Sequence, residues 1–239
     1  MRRLGLAVVA AMMVLSGCGR QVTGLSVPAG SGIVPAGQSL IRFETVGQPD
    51  YNNFRYLIVI NTQGNQNEPY ALGYNSNYNN WSMVFVLGGG PGFAQAPTLQ
   101  QIYQDPATGS TAKAYPITYP TNFVNFQPTL TSGASANGFQ ITFNRCILDR
   151  PAPTGNPPTN GACPPYTYIN SKWAINLFTV DKTDTVVDSL GPFAQDTSAR
   201  FLIDTNTIIN DQSYLKPGTN TTLPNPASQI VGIEFFNTP

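Results

Sequence analysis

"GFQITFNRC", residues 138–146, places Phe139, Ile141 and Phe143 on one face of an extended chain and Gln140, Thr142 and Asn144 on the other. Side chains alternate across a strand, so an apolar period of two predicts a half-buried β-strand. The same period recurs on either side of this stretch. In "KWAINLFTV" (172–180) Trp173, Ile175 and Leu177 point inward and Asn176 outward, and "ARFLID" (199–204) groups Phe201 with Ile203. Near the end, Val231, Ile233 and Phe235 share a face against Gly232 and Glu234. "NFRYLIVIN" (53–61) is apolar on both faces through Tyr56, Leu57, Ile58, Val59 and Ile60. That is the pattern of a central strand covered on both sides. Further strands are expected in "SLIRFETV" from Ser39, "WSMVFVL" from Trp81 and "TNTII" from Thr205. Turn-forming stretches such as "GQPDYNN", "TQGNQNEP" and "SGASANG" separate them.

No window carries a sustained helical stripe, although "TLQQIYQ" at Thr98 reads as a short helix. Many short strands without helical crossovers predict an all-β fold, an antiparallel β-sandwich that is immunoglobulin-like or related, with a β-barrel as the alternative. Residues 38–239 read as one such domain, with proline-rich elaborations at 104–122 and 150–165 and no internal repeat.

The N-terminus has a different character. Arg2 and Arg3 precede an apolar run from Leu4 to Leu15, followed by Ser16, Gly17 and Cys18. This is the layout of a secretory signal, over residues 1–17, and the run is short of the roughly 20 residues that span a bilayer. Leu15-Ser16-Gly17-Cys18 resembles the lipobox of bacterial lipoproteins. The resemblance implies that the Cys18 thiol receives a diacylglyceryl group, that cleavage precedes it, and that its new amine is acylated. Several chains on one residue give stable attachment where one is marginal. In diderm lipoproteins an aspartate after the cysteine favours retention at the inner membrane; Gly19 stands there, so the resemblance implies the outer membrane, or otherwise the outer face of the cytoplasmic membrane. Residues 18–37, from the lipidated cysteine through "GRQVTGLSVPAGSGIVPAG", then read as a flexible tether. As a coil it would hold the domain about 25 Å from the membrane. The remainder resembles, in architecture and composition, bacterial lipoproteins with a single β-rich ectodomain.

Composition fits that setting. Charged residues are 10% of the chain, against about 25% in ordinary domains. Solubility must therefore come from amides, hydroxyls and backbone. Lysine plus arginine equal aspartate plus glutamate at 12 each, and loss of Arg2 and Arg3 would leave a net charge of −2. No basic face is available for nucleic acid, so none is expected as a partner. Cys146 and Cys163 flank "ILDRPAPTGNPPTNGA" and, in an oxidising compartment, are expected to pair. An unstrained bridge would contribute about 3 kcal/mol by closing this loop. Free thiols and a metal site are the alternatives, and the latter lacks ligands.

The chain contains no histidine. This removes the usual general base, Ser-His-Asp and Cys-His arrangements, and histidine metal sites. "LGGGPG" (87–92) resembles the oxyanion loop HGGPG of some α/β-hydrolase peptidases, but a glycine holds the histidine position and no G-x-S-x-G elbow accompanies it. A tight turn, with an anion-binding nest as the functional alternative, is the expectation.

Two constellations carry chemistry. "DKTDTVVDSLG" holds Asp181, Asp184 and Asp188, with Lys182 among them. Aspartates at such spacings cap turns; calcium is the one ion they could bind, and otherwise no cofactor or metal is expected. A carboxylate-only glycan hydrolase would draw its pair from Asp181, Asp184, Asp188 and Asp204, placed roughly 5–10 Å apart beside an aromatic groove. "YALGYNSNYNNW" (70–81) interleaves Tyr74, Tyr78 and Trp81 with asparagines, a composition for stacking on sugar rings and bonding their hydroxyls. The alternative is that Trp81 anchors a hairpin and the asparagines accept turn geometry. The expectation is a membrane-anchored extracytoplasmic lipoprotein, not an enzyme, acting as a binding or structural module in the cell envelope. Its partners would be the membrane through Cys18 and an envelope glycan or protein; a glycan-binding module or glycan hydrolase is the alternative.

Overall fold

A computed structural model describes residues 34–90, 97–104, 111–130, 137–149, 170–191, 200–217 and 225–239. Cys18, Cys163 and the leader lie outside the described residues, as does the whole of the 150–165 stretch. The strands are β1 (Gln38–Thr45), β2 (Arg55–Asn61), β3 (Met83–Gly88), β4 (Thr98–Tyr103), β5 (Lys113–Ile117), β6 (Val124–Gln127), β7 (Gly138–Asn144), β8 (Lys172–Val180), β9 (Val186–Ser189), β10 (Leu202–Asp204), β11 (Ile209–Leu215) and β12 (Ile230–Thr238). They form two antiparallel sheets packed face to face, a β-sandwich without barrel closure. One sheet has the order β11-β12-β1-β7-β6; the other runs β10-β8-β2-β3-β4-β5, with β9 also on β8. Four consecutive strands, β2 to β5, make a meander in the second sheet.

Period two dictates what fills the space between the sheets. Ile41 and Phe43, Phe139 and Ile141, and Ile233 and Phe235 face Tyr56, Ile58, Phe85, Trp173 and Ile175, all essentially unexposed. β2 is central, between β3 and β8, and is covered on both faces as expected. Its second face is closed by a separate cluster: Leu57 and Val59 meet Val84, Phe178, Val180, Ala71 and Trp81. The 62–82 connection folds back over the sheet to supply this layer. Asn176, expected to point to solvent, is therefore fully buried. Its amide donates to the Pro69 carbonyl at 2.7 Å, and its oxygen accepts from Gly191 N at 3.0 Å.

Several boundaries differ from the sequence expectation. Thr98–Tyr103 is strand β4, not a short helix. Leu99 and Ile102, three apart, would share a helical face, but on this strand they serve the two apolar layers on opposite sides of the sheet. The strand expected at Thr205 starts instead at Ile209, because Asp204 organises a turn: its carbonyl accepts from Thr207 N and its carboxylate from Asn206 N, at 3.1 and 3.0 Å. Part of the 104–122 elaboration is the edge strand β5, where Pro116 lacks a donor without breaking a ladder. The last residues of the expected tether are folded: Val34 is buried, and Gly37 N donates to the Thr238 carbonyl at 2.9 Å.

The register fixes which ends meet. Gln38 pairs with Asn144 and Thr238 at one end of the first sheet. Thr45, where β1 leaves its sheet, lies at the opposite end, and Arg55 there opens β2 beside Gly88 and Val180.

Candidate functional site

Tyr74, Tyr78 and Trp81 do converge, around the indole. Trp81 is 2% exposed, lies flat on Phe178 at 5.2 Å and 6°, stacks on Tyr74 at 5.9 Å, and meets the edge of Tyr78 at 5.5 Å. Its Nε1 donates to the Tyr70 carbonyl at 3.2 Å. The tryptophan is thus the anchor of the 62–82 connection, and the half-buried tyrosines form the aromatic surface. The asparagines serve loop geometry. Asn75 accepts from the Tyr78 hydroxyl at 3.0 Å, Asn80 donates to the Glu68 carbonyl at 3.1 Å, and Asn79 donates to the Tyr70 hydroxyl. Burial raises the Tyr78 pKa above its ordinary value, with the Tyr74 hydroxyl adding to it.

The aspartates part company. Asp181 caps its hairpin turn: one oxygen accepts from Thr183 N at 2.9 Å, Thr185 N at 3.0 Å and the Thr183 hydroxyl at 2.7 Å. Bonds to the Thr185 N–H and the Thr183 hydroxyl hold its carboxyl below the usual range. Asp184 pairs with Arg55 and lies 3.4 Å from the Tyr74 hydroxyl. Asp188 is buried at the sheet edge, where it accepts from Ile230 N at 2.8 Å and pairs with Lys216. Asp204 caps the turn before β11. The three residues expected to share calcium therefore occupy three separate environments. Among the described residues, no group of three His, Cys, Asp or Glu side chains could hold a metal.

A groove of about 200 Å³ crosses the outer face of the second sheet. Leu57, Val84, Val86, Gln100 and Ala114 from β2 to β5 form its floor; Tyr74, Asn75, Tyr78 and the edge of Trp81 form one wall. It spans three strand spacings, about 14 Å. Arg55 closes one end, donating to the Tyr74 hydroxyl at 3.3 Å. On the other side of Arg55 lies a second depression of about 350 Å³, lined by Asn52, Asn53, Gly89, Gly90, Asp181 and Lys182 as well as Arg55.

The glycines of "LGGGPG" explain how Arg55 reaches both. Gly88 and Gly89 have φ of +83° and +103°, and a Cβ on Gly89 would approach Arg55 Cγ to 2.7 Å. They form the turn expected at a strand end and let the arginine stem lie across it. Gly89 N is spent on the Tyr51 carbonyl at 2.9 Å. Among the described residues five non-glycine positions have positive φ; of these Asn75 and Tyr78 line the groove and Asp184 pairs with the Arg55 at its end. Such conformations cost of order 1–3 kcal/mol and concentrate at functional sites.

The central role of Arg55 is not visible in sequence patterning, beyond its being the lone charge in an apolar run. Asp181 and Asp184 stand on one hairpin, with Asp184 3.4 Å from the Tyr74 hydroxyl at the end of the groove and Asp181 in the second depression. A carboxylate-only hydrolase needs one carboxyl kept protonated by a raised pKa. Asp181 is shifted the other way, and Asp184 is ion-paired. Among the described carboxylates Asp211 is raised, by desolvation and the Glu234 charge, but it belongs to the other sheet. No family model matches this chain, and no curated protein or solved structure matches it either.

Proposed function

We propose that this chain is a lipid-anchored extracytoplasmic protein whose sandwich is a non-catalytic glycan-binding module. The binding reading rests on one observation above others: a shallow groove with two half-buried tyrosines in its wall, open along a sheet face and ended by an arginine. Tyrosine combines an apolar face for a sugar ring with a hydroxyl for its oxygens. The groove is smaller than the 300–1,000 Å³ usual for an enclosed small-molecule pocket, and its open face suits a chain laid along it.

The anchoring reading rests on Arg2, Arg3, the apolar run and the lipobox ending at Cys18, with Gly19 favouring the outer membrane of a diderm cell. Among the described residues no helix is long and apolar enough to cross a membrane. A Cys146–Cys163 bridge belongs to the same reading. It is supported by the complete burial of Cys146 and by the exported setting that the signal segment implies.

The test is binding of the full chain, purified in mild detergent, to a panel of envelope and extracellular polysaccharides. Tyr74→Ala should weaken binding at least tenfold while leaving most of the melting temperature intact. Failure of the wild type to bind any member refutes the glycan reading. For the anchor, Cys18→Ala should release the protein from the membrane fraction.

A further inference from the structure

We infer that the ligand is an acidic glycan, its carboxylate seated in the depression beside Arg55 while neighbouring rings cross the tyrosine groove. This rests on the glycan reading and specifies its chemistry. The depression brings together two cations, Arg55 and Lys182, with Asn52 and Asn53, whose backbone N–H groups and the Asn53 side-chain amide bond the Asp50 carboxylate. Its one carboxylate, Asp181, is turned to its own hairpin, accepting three bonds from Thr183 and Thr185. Within that lining two cations stand against one carboxylate, with Asp184 pairing Arg55 from outside it, in a chain whose Lys and Arg number 12 in 239 residues.

Arginine presents a planar fork that matches a carboxylate, and in the free protein that fork is already occupied by one. Asp184 supplies it, from a turn residue at φ +62° whose side chain is 52% exposed. An exposed pair of this kind is weak and easily exchanged. Asp184 accordingly stands in for the ligand's carboxylate, and binding trades an internal partner for an external one. The trade retains the Arg55 charge pairing and adds Lys182 to it. Because Arg55 also donates to the Tyr74 hydroxyl, the carboxylate would be registered against the ring that stacks in the groove.

The test compares an oligogalacturonate with its fully methyl-esterified form, by calorimetry on the full chain in detergent. The acid should bind at least tenfold more tightly than the ester, with an affinity that falls as salt rises. Lys182→Ala should weaken the acid several-fold and leave the ester unchanged. Arg55→Gln should abolish the preference. Asp184→Asn, by freeing Arg55, should tighten the acid several-fold. Equal binding of acid and ester overturns this inference but leaves the glycan reading standing. Preference for the acid that survives both Arg55→Gln and Lys182→Ala overturns the location. Binding of neither form, while a neutral polysaccharide of the panel binds, overturns the inference alone; binding of nothing overturns both.

Discussion

Trp81→Ala tests whether the second apolar layer is as integral as the first. The indole is 2% exposed, so its removal loses the burial of a large aromatic, which costs about 3–5 kcal/mol in well-packed sites. Two further losses accompany it. The stack on Phe178 and the contacts with Tyr74 and Tyr78 go, at about 0.5–1.5 kcal/mol per aromatic pair, and the Tyr70 carbonyl loses its donor. Against these, the layer has loop on one side, and the connection can settle into part of the void. An expected loss of about 4 kcal/mol balances the two. For a domain of this size each kcal/mol lowers the melting temperature by about 2–4 °C, so the midpoint should fall by about 8–16 °C. Differential scanning calorimetry of the full chain reads this directly. Trp81→Phe, which keeps the stack and drops the N–H bond, should lose about 1–2 kcal/mol. A fall below about 3 °C for Trp81→Ala would mean that the 62–82 connection is a loose cover and that Trp81 is free to act as a binding platform.

Asn176→Leu keeps the volume but strands the Pro69 carbonyl and Gly191 N–H, so urea unfolding should show a loss of about 2–4 kcal/mol; a neutral result would mean that these groups reach other partners. Gly88→Ala brings a Cβ within 2.4 Å of the Phe54 carbonyl at φ +83° and should destabilise by at least about 2 kcal/mol, whereas Gly37→Ala, at φ +77° in open space, should lose about 1 kcal/mol. Asp211 holds its proton more tightly folded than unfolded, through desolvation and the Glu234 charge with Arg42 opposing. Its favourable contribution is thus complete below the ordinary carboxylate range and lost as pH rises through the raised value. Asp211→Asn should therefore gain a few tenths of a kcal/mol on the wild type at pH 7, discounted for solvent screening, and lose that margin near pH 3; an equal margin at both pH values would contradict the assignment. Thiol labelling of denatured, unreduced protein should find neither Cys146 nor Cys163 reactive, and labelling of both would refute the bridge.

Where a strand has one face in the core and one in solvent, as in "GFQITFNRC", the pattern of side chains reports its burial directly. β2 was equally legible, because two covered faces leave an unbroken apolar run. The misread segments fail for physical reasons. β4 serves two apolar layers, so Leu99 and Ile102 fall at helical spacing. β11 is an edge strand with half-exposed residues, so "INDQSYL" shows no clean alternation. β9 was hidden in an aspartate-rich turn because Asp188 belongs to the strand and is neutralised by Lys216 from far along the chain. The aromatic–asparagine loop was recognisable as a site, but which of its rings is exposed depends on Phe178, about a hundred residues away. The groove floor comes from four strands and its arginine from the edge of a core strand. No local window could assemble them.

The direction of β1 has a mechanical meaning for such a protein. The chain enters the sandwich at Gln38, pairs along eight residues to Thr45, and reaches Arg55 after the first connection. At about 3.3 Å per residue the strand lifts that end some 25 Å above the point of entry. On the proposed N-terminal anchor, the Arg55 end is thus the end of the sandwich farther from the point of chain entry. The acidic ligand proposed above would then be met at the end of the domain away from its attachment.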